Sequence, residues 1–457
     1  DWSSDVCSSD LLGYYAANAS PTGSGLTAVG YAALYVNSSG IDNTSVGMQS
    51  MIANTTGSAN VVVGKQALQA STTSSNNVAI GYQALYSANV STSGFGGSTV
   101  AIGYQALYNA GTVASNGTGA CTAVGHLAGY STSSAGNGAN DTFIGYMAGY
   151  YNVSGYSNTF VGAQAGYGQT SGDTNTCIGY GTGRQTSGAG GGKLVAVGSS
   201  AGAANSGNDN TFVEAGAGST NTGGIENAYF GTYAGISNNG SNNVALGKAS
   251  MYSATGASRN TCAGYNSGYY ISSGTENTCI GSRAGEYEVQ LTTGTNNTLI
   301  GNNTRTNSSS DVNCVVLSGD ARGKGSNTGY INAGGGGVYQ GNNSSSWSTT
   351  SDQRLKKNIV DNNDGLEKIN ASRVRNFEYR LPEEVDAELK PTDAINKAGV
   401  QLGVIAQELQ QVLPECVKQE STGVLSVDPD NLTWYLVNAV KQLKAEVDSL
   451  KSQLKGN

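Results

Sequence analysis

The chain has 457 residues, a net charge of −8, 67 glycines and five prolines. That length allows two or three domains. No basic block offsets the acidic balance, which argues against a nucleic-acid partner, and no apolar run approaches a membrane-spanning helix.

Composition changes at Ser351. Residues 351–457 hold 17 Asp/Glu and 14 Lys/Arg, whereas residues 1–350 hold only 14 and 9. Glycine runs the other way, 62 before Ser351 and five after, and Pro21 is the only proline ahead of the break. A glycine-rich, charge-poor repeat therefore gives way to a charged module.

Residues 1–11, ending in Cys7-Ser8-Ser9-Asp10-Leu11, share nothing with the chain from residue 12 onward. They resemble the translation of a common sequencing adapter, so they are set aside for fold reasoning and the natural N-terminus is expected upstream.

Residues 12–328 repeat. Each unit is an Asn/Ser/Thr-rich turn, a β-prone stretch of four to five residues ending in glycine, and a step of small residues. Asn77-Val78-Ala79-Ile80-Gly81, Asn158-Thr159-Phe160-Val161-Gly162 and Asn277-Thr278-Cys279-Ile280-Gly281 are clear copies. The key glycines run from Gly30 to Gly301 at steps of mostly 16 or 17, with Glu214 and Ser318 filling two glycine slots, which gives about seventeen coils. One such strand cannot bury its own apolar face, so stacking into a solenoid is predicted. Glycine after the strand permits a corner that a side chain would block. A coil this small encloses little volume, and three chains side by side would cover the remaining apolar faces. The expected fold is mainly β, a homotrimeric β-solenoid fibre followed by a small α+β module. The copies at Val78–Ala84 and Val100–Ala106 resemble the head repeats of trimeric autotransporter adhesins, and the repeats that precede tail-fibre-type C-terminal domains.

The repeat shows little chemistry of its own. Cys177, Cys262 and Cys279 stand two residues before their glycine and read as small buried hydrophobes. No Cys-x-x-Cys pair exists, so no metal is expected, and nothing implies a cofactor. His126 is the single histidine, which argues against a Ser-His-Asp hydrolase. Tyr31, Tyr82, Tyr104, Tyr146, Tyr180 and Tyr265 follow the key glycine. Tyr35, Tyr86, Tyr108, Tyr130, Tyr150, Tyr167 and Tyr269 come five residues after it. Stacking predicts two tyrosine columns, which either grip a host-surface glycan or pack between chains. The paired carboxylates of a glycosidase are not evident.

Residues 329–350, with Gly334-Gly335-Gly336-Gly337, read as a flexible linker. The segment Ser351-Asp352-Gln353-Arg354-Leu355-Lys356-Lys357-Asn358-Ile359 then resembles the opening of the intramolecular chaperone auto-processing domain at the C-terminus of phage tail fibres, tailspikes and endosialidases. Further matches come in order. Phe377-Glu378-Tyr379 resembles an early strand, Gly403–Leu409 with Leu413-Pro414-Glu415 a central helix, and Val427-Asp428 with Leu436–Leu443 the last strand and helix. Independently, Leu436, Val440, Leu443, Val447, Leu450 and Leu454 alternate steps of four and three, a heptad seam predicting a coiled coil over 432–455.

The resemblance assigns roles. Ser351 is the nucleophile on the carbonyl carbon of Thr350, Lys356 the general base, and Asp352 and Arg354 support the motif. Cleavage between Thr350 and Ser351 happens once, with no activity on external substrates. The implied protein is a phage tail fibre for host attachment, carried on the virion and binding a cell-surface receptor or glycan. A bacterial trimeric surface adhesin with the same module is the alternative, and a polysaccharide-degrading tailspike is a third.

Overall fold

The computed structural model describes residues 9–18, 22–87, 98–110, 120–132, 140–185, 192–332, 337–340, 348–349, 351–386, 388–389, 395, 397–419 and 423–455. They fall into two compact units, Asp1–Thr350 and Ser351–Asn457.

The first unit is a parallel β-solenoid. Strands β1 (Asp10–Leu12) through β18 (Val315–Leu317) are three residues long, and each lies parallel to the next. Register is residue for residue, so that Thr159, Phe160 and Val161 face Thr176, Cys177 and Ile178. The strands are shorter than the expected four to five residues. Only the middle residue points inward before the following glycine turns the chain. At Gly162 φ is +131°, and a Cβ would stand 2.5 Å from the carbonyl oxygen of Gly179 in the next coil. Both the dihedral and the space demand glycine there. Glu214 and Ser318 occupy this slot at φ 87° and 133°. The Glu214 carboxylate accepts hydrogen bonds from the Thr232 N–H and hydroxyl at 2.9 and 3.0 Å, which offset part of its backbone strain.

The series begins one coil earlier than expected, at Gly13, whose φ is +138°. Asp10 and Leu11, set aside on sequence as part of 1–11, form β1 with Leu12, while 1–8 lie outside the described residues. At the other end, β19 (Gly329–Asn332) continues the stack parallel to β18. β20 (Gly337–Gln340) and β21 (Ser348–Thr349) come next, antiparallel. The described part of 329–350 is therefore strand where a linker was expected. It lacks the repeat motif, and its strand character comes from pairing of each strand with the one before it.

Volume is exchanged across the core within many of the coils. Where the middle strand residue is Ala79 or Ala101, the residue six positions on is Leu85 or Leu107. Where it is Phe143, Phe160, Phe212 or Tyr229, that partner is Gly149, Gly166, Gly218 or Gly235. A Cβ on Gly166 would lie 2.4 Å from the Phe160 ring. In these coils one large residue opposes one small one, which keeps the core dense, whereas Ala123 with Gly129 and Ala196 with Gly202 are small at both positions.

Where the residue before a strand is asparagine, as at Asn43, Asn60 and Asn77 and again from Asn210 to Asn297, it joins a buried ladder of amides. Asn260 N–H and Nδ2 donate to Asn243 Oδ1 at 2.9 and 3.2 Å, and Nδ2 also donates to the Gly274 carbonyl at 2.8 Å. Asn260 Oδ1 in turn accepts from Asn277 N–H and Nδ2 at 2.9 and 3.0 Å. Each asparagine thus satisfies polar atoms of its neighbours in the dry interior, as amide ladders do in stacked parallel strands.

The second unit is α+β. Helix α1 (Leu366–Ala371) precedes β22 (Arg375–Phe377), which pairs antiparallel with β23 (Gln401–Gly403). Helix α2 (Ala406–Gln410) leads to β24 (Val417–Gln419) and β25 (Leu425–Val427), again antiparallel. Helix α3 (Pro429–Lys455) ends the described chain. Proline at its first position and the Asp428 carboxylate accepting the Asp430 N–H start it. The early strand lies two residues before the expected Phe377–Tyr379, and Gly403 is strand where helix was expected. Leu409, Leu413, Cys416 and Tyr435 form the core, with Ile369, Val404 and Leu432 packed on it.

Candidate functional site

Ser351 and Lys356 sit at the start of the second unit. Gln353–Leu355 form one tight helical turn, with the Asp352 side chain accepting the Arg354 N–H at 2.8 Å. The Arg354 guanidinium folds back on the same carboxylate, with Nε 3.0 Å from each oxygen. That pairing holds the Asp352 carboxyl below its usual range. The turn closes with Lys356 N–H on the Gln353 carbonyl at 3.0 Å. A five-residue separation is thereby folded back on itself, and Lys356 Nζ donates to Ser351 Oγ at 2.7 Å. Asp352 and Arg354 build the turn without touching either atom. Thr350 lies outside the described residues. Both Ser351 and Lys356 are exposed.

The chain beyond this turn is held by α3. Asn438 Nδ2 donates to the Asn362 and Asp364 carbonyls at 2.8 and 3.0 Å, and Gln442 Nε2 to the Asn363 carbonyl at 2.7 Å. Gln442 Oε1 accepts the Leu366 N–H at 2.6 Å. Lys368 pairs with Asp364 at 2.8 Å and lies over the Tyr435 ring. Arg375 pairs with Glu408 at 2.8 Å, holding its carboxyl below the usual range and tying β22 to α2. Sequence reasoning placed Asn438 and Gln442 in the last helix without a partner. Their i, i+4 spacing away from the apolar seam was the available signal.

In the solenoid the two tyrosine columns form. Tyr82, Tyr104, His126 and Tyr146 stack at 5.4, 4.9 and 5.5 Å between ring centres. Tyr86, Tyr108, Tyr130, Tyr150 and Tyr167 stack at 4.9 to 5.4 Å. These separations match the spacing of paired strands. Stacking occupies the ring faces, so the outer column presents edges and hydroxyls rather than the flat surface a sugar ring covers. Tyr180, with Ala163 and Ser199 one coil away on either side, is 61% exposed. Cys177, Cys262 and Cys279 are buried free thiols on the middle strand position, and burial pushes Cys177 up to about 12. Asp141 takes an asparagine's place in the ladder. It accepts from the Asn158 N–H at 2.7 Å and from Asn152 Nδ2 at 3.1 Å, and burial pushes its carboxyl up to about 7. Among the described residues no three His, Cys, Asp or Glu side chains gather as a metal site, and no helix is long and apolar enough to cross a membrane.

Residues 351–418 match the family model of the chaperone of endosialidase. The match opens on Ser351, the first residue of the second unit, and a long β-solenoid precedes it.

Proposed function

We propose that this chain is the subunit of a homotrimeric, extracellular fibre for host-surface attachment, of the phage tail-fibre type. Its C-terminal module assembles the trimer and then cuts itself off. The observation that carries this reading is Lys356 Nζ lying 2.7 Å from Ser351 Oγ where the chaperone match begins.

Ser351 Oγ attacks the carbonyl carbon of Thr350 while its proton passes to Lys356 Nζ. The Thr350 C–N bond then breaks, the amine of Ser351 takes up a proton, and Thr350 is left as an ester on Oγ. Water hydrolyses that ester to a Thr350 carboxylate and a restored Ser351 hydroxyl. A lysine serves as such a base only when desolvation lets it shed its proton. The reaction runs once per chain.

Two apolar surfaces support assembly. The third residue of successive strands is aliphatic or aromatic and points outward, with Ile144, Ile178, Phe230, Ile280 and Ile300 each about 40% exposed. On α3 the seam of Leu436, Val440, Leu443, Leu450 and Leu454 is 47 to 80% exposed in one copy. Continuous apolar stripes of this kind mark interaction surfaces, and three copies related by a threefold axis cover both. Interleaved β assembly involves many non-local contacts and is slow, so a module that sets register first speeds it. Its removal leaves a kinetically trapped fibre.

Expression of the whole chain and of Ser351→Ala, compared on denaturing gels and by mass, tests the reading. The parent is expected to yield a fragment ending at Thr350, and the variant an intact chain. An intact parent, or a monomeric product, overturns it.

A further inference from the structure

The turn bearing Ser351 and Lys356 is exposed, as is the chain from Lys357 to Asp364. Within 357–364, the main chain bonds to another element only through the carbonyls of 362–364, among the described residues, and all those bonds come from Asn438 and Gln442. Asn438 grips two carbonyls with one amide. Gln442 donates to one and accepts the N–H that opens α1. Gly365 completes the contact, since a Cβ there would stand 2.4 Å from Ala439 N on α3. Such close backbone approach leaves the loop little freedom at this point.

The same helix carries the seam. Leu436, Val440, Leu443 and Val447 lie off the Asn438–Gln442 face and are exposed in a single copy. One rigid element thus connects the surface where copies meet to the loop six residues after Lys356. Neither amide touches the reacting atoms, which are far off in sequence.

We infer that Asn438 and Gln442 are positioning residues for self-cleavage, referencing the Ser351–Lys356 turn to helix α3 so that Lys356 Nζ is held against Ser351 Oγ in the assembled chain. This rests on the self-cleavage reading above. The grip explains why amides stand here. A carboxylate would repel the three carbonyls, and an aliphatic side chain would leave them without a donor.

The test uses full-length chains with Asn438→Asp and Gln442→Glu, each isosteric and each lacking the donor. Assembled, uncleaved chains are isolated by size exclusion, and fragment release is monitored across pH. Cleavage at pH 7 is expected to slow at least tenfold per assembled chain, with the midpoint of the pH–rate profile moved to higher pH. A purely structural role would lower the yield of assembled chains and leave that midpoint in place. A third variant, with Gly-Gly inserted between Val360 and Asp361, leaves helix and grip intact, and the same slowing and upward shift are expected of it. This variant decides the matter if the first two do not assemble. A parental rate, or a slowed rate with an unmoved midpoint, overturns the inference. A parent chain that never cleaves overturns the self-cleavage reading instead.

Discussion

In the proposed reaction the attacking group at Ser351 is a primary alcohol, a weak nucleophile until a base removes its proton. The donor 2.7 Å away is Lys356 Nζ. Lys356→Met, which keeps the length of the side chain and removes the amine, is expected to cut the cleavage rate by about 10²–10⁴-fold, the usual worth of a general base. Appearance of the Thr350-terminated fragment over time is the measurement. The Asp141 carboxyl offers a separate residue-scale test. Its folded value of about 7 stands above the ordinary 3.8 because burial disfavours its charge. A raised value means the folded state holds the proton more tightly. The stabilisation is therefore full below about pH 4 and is lost as pH rises to about 7, on the order of a few kcal/mol in all. Asp141→Asn, which restores the ladder amide, is expected to raise the melting temperature at pH 8 and to change it little at pH 4. Equal effects at both would show that Asp141 does not titrate in this window.

Within a coil, the unit of stability is an exchange between two positions rather than a single residue. Phe160 fills the space left by Gly166, whereas Ala79 leaves room for Leu85. Gly166→Leu alone is expected to prevent that coil from closing, and Phe160→Ala alone to cost about 3–5 kcal/mol through a cavity. Combined, they recreate the Ala79–Leu85 arrangement and should recover much of the loss, since Leu85 already adopts φ +54° at the equivalent position. Chemical denaturation of the single and double variants reads the coupling directly. The amide ladder works between coils rather than within them. It supplies what a core this narrow needs, hydrogen-bond partners for the buried amides of the ladder itself.

For the whole molecule, the exposed stripes on the solenoid and on α3 set the expectation of three copies. Leu443→Lys places a charge in the middle of the α3 seam. It is expected to abolish trimers in light scattering and to leave the solenoid without its assembly module. Trimers that persist would locate the essential contacts outside α3. On the proposed self-cleavage, maturation is a one-way event, since cutting after assembly discards part of the route back.

The repeat was legible because its period is written in local residue types. Glycines at steps of 16 or 17, with tyrosine one and five positions later, dictated both the coils and the stacked columns. Ser351, Asp352, Arg354 and Lys356 were equally legible as a motif, and the α3 seam as a heptad. Other features depend on contacts that no local pattern encodes. Strand length was set by the corner at each glycine, and the strand character of 329–332 and 337–340 by pairing of each with the strand before it. The Phe160–Gly166 exchange and the Asn243–Asn260–Asn277 ladder exist only once coils stack. The same holds at the candidate site. Spacing named Ser351 and Lys356, but the Asp352-capped turn joins them, and Asn438 and Gln442 reach their loop from about eighty residues away. Sequence by itself determined the repeat and the break at Ser351, because both are local. Tertiary structure decided volume, polar satisfaction and the grip on the loop, because these arise between segments distant in the chain.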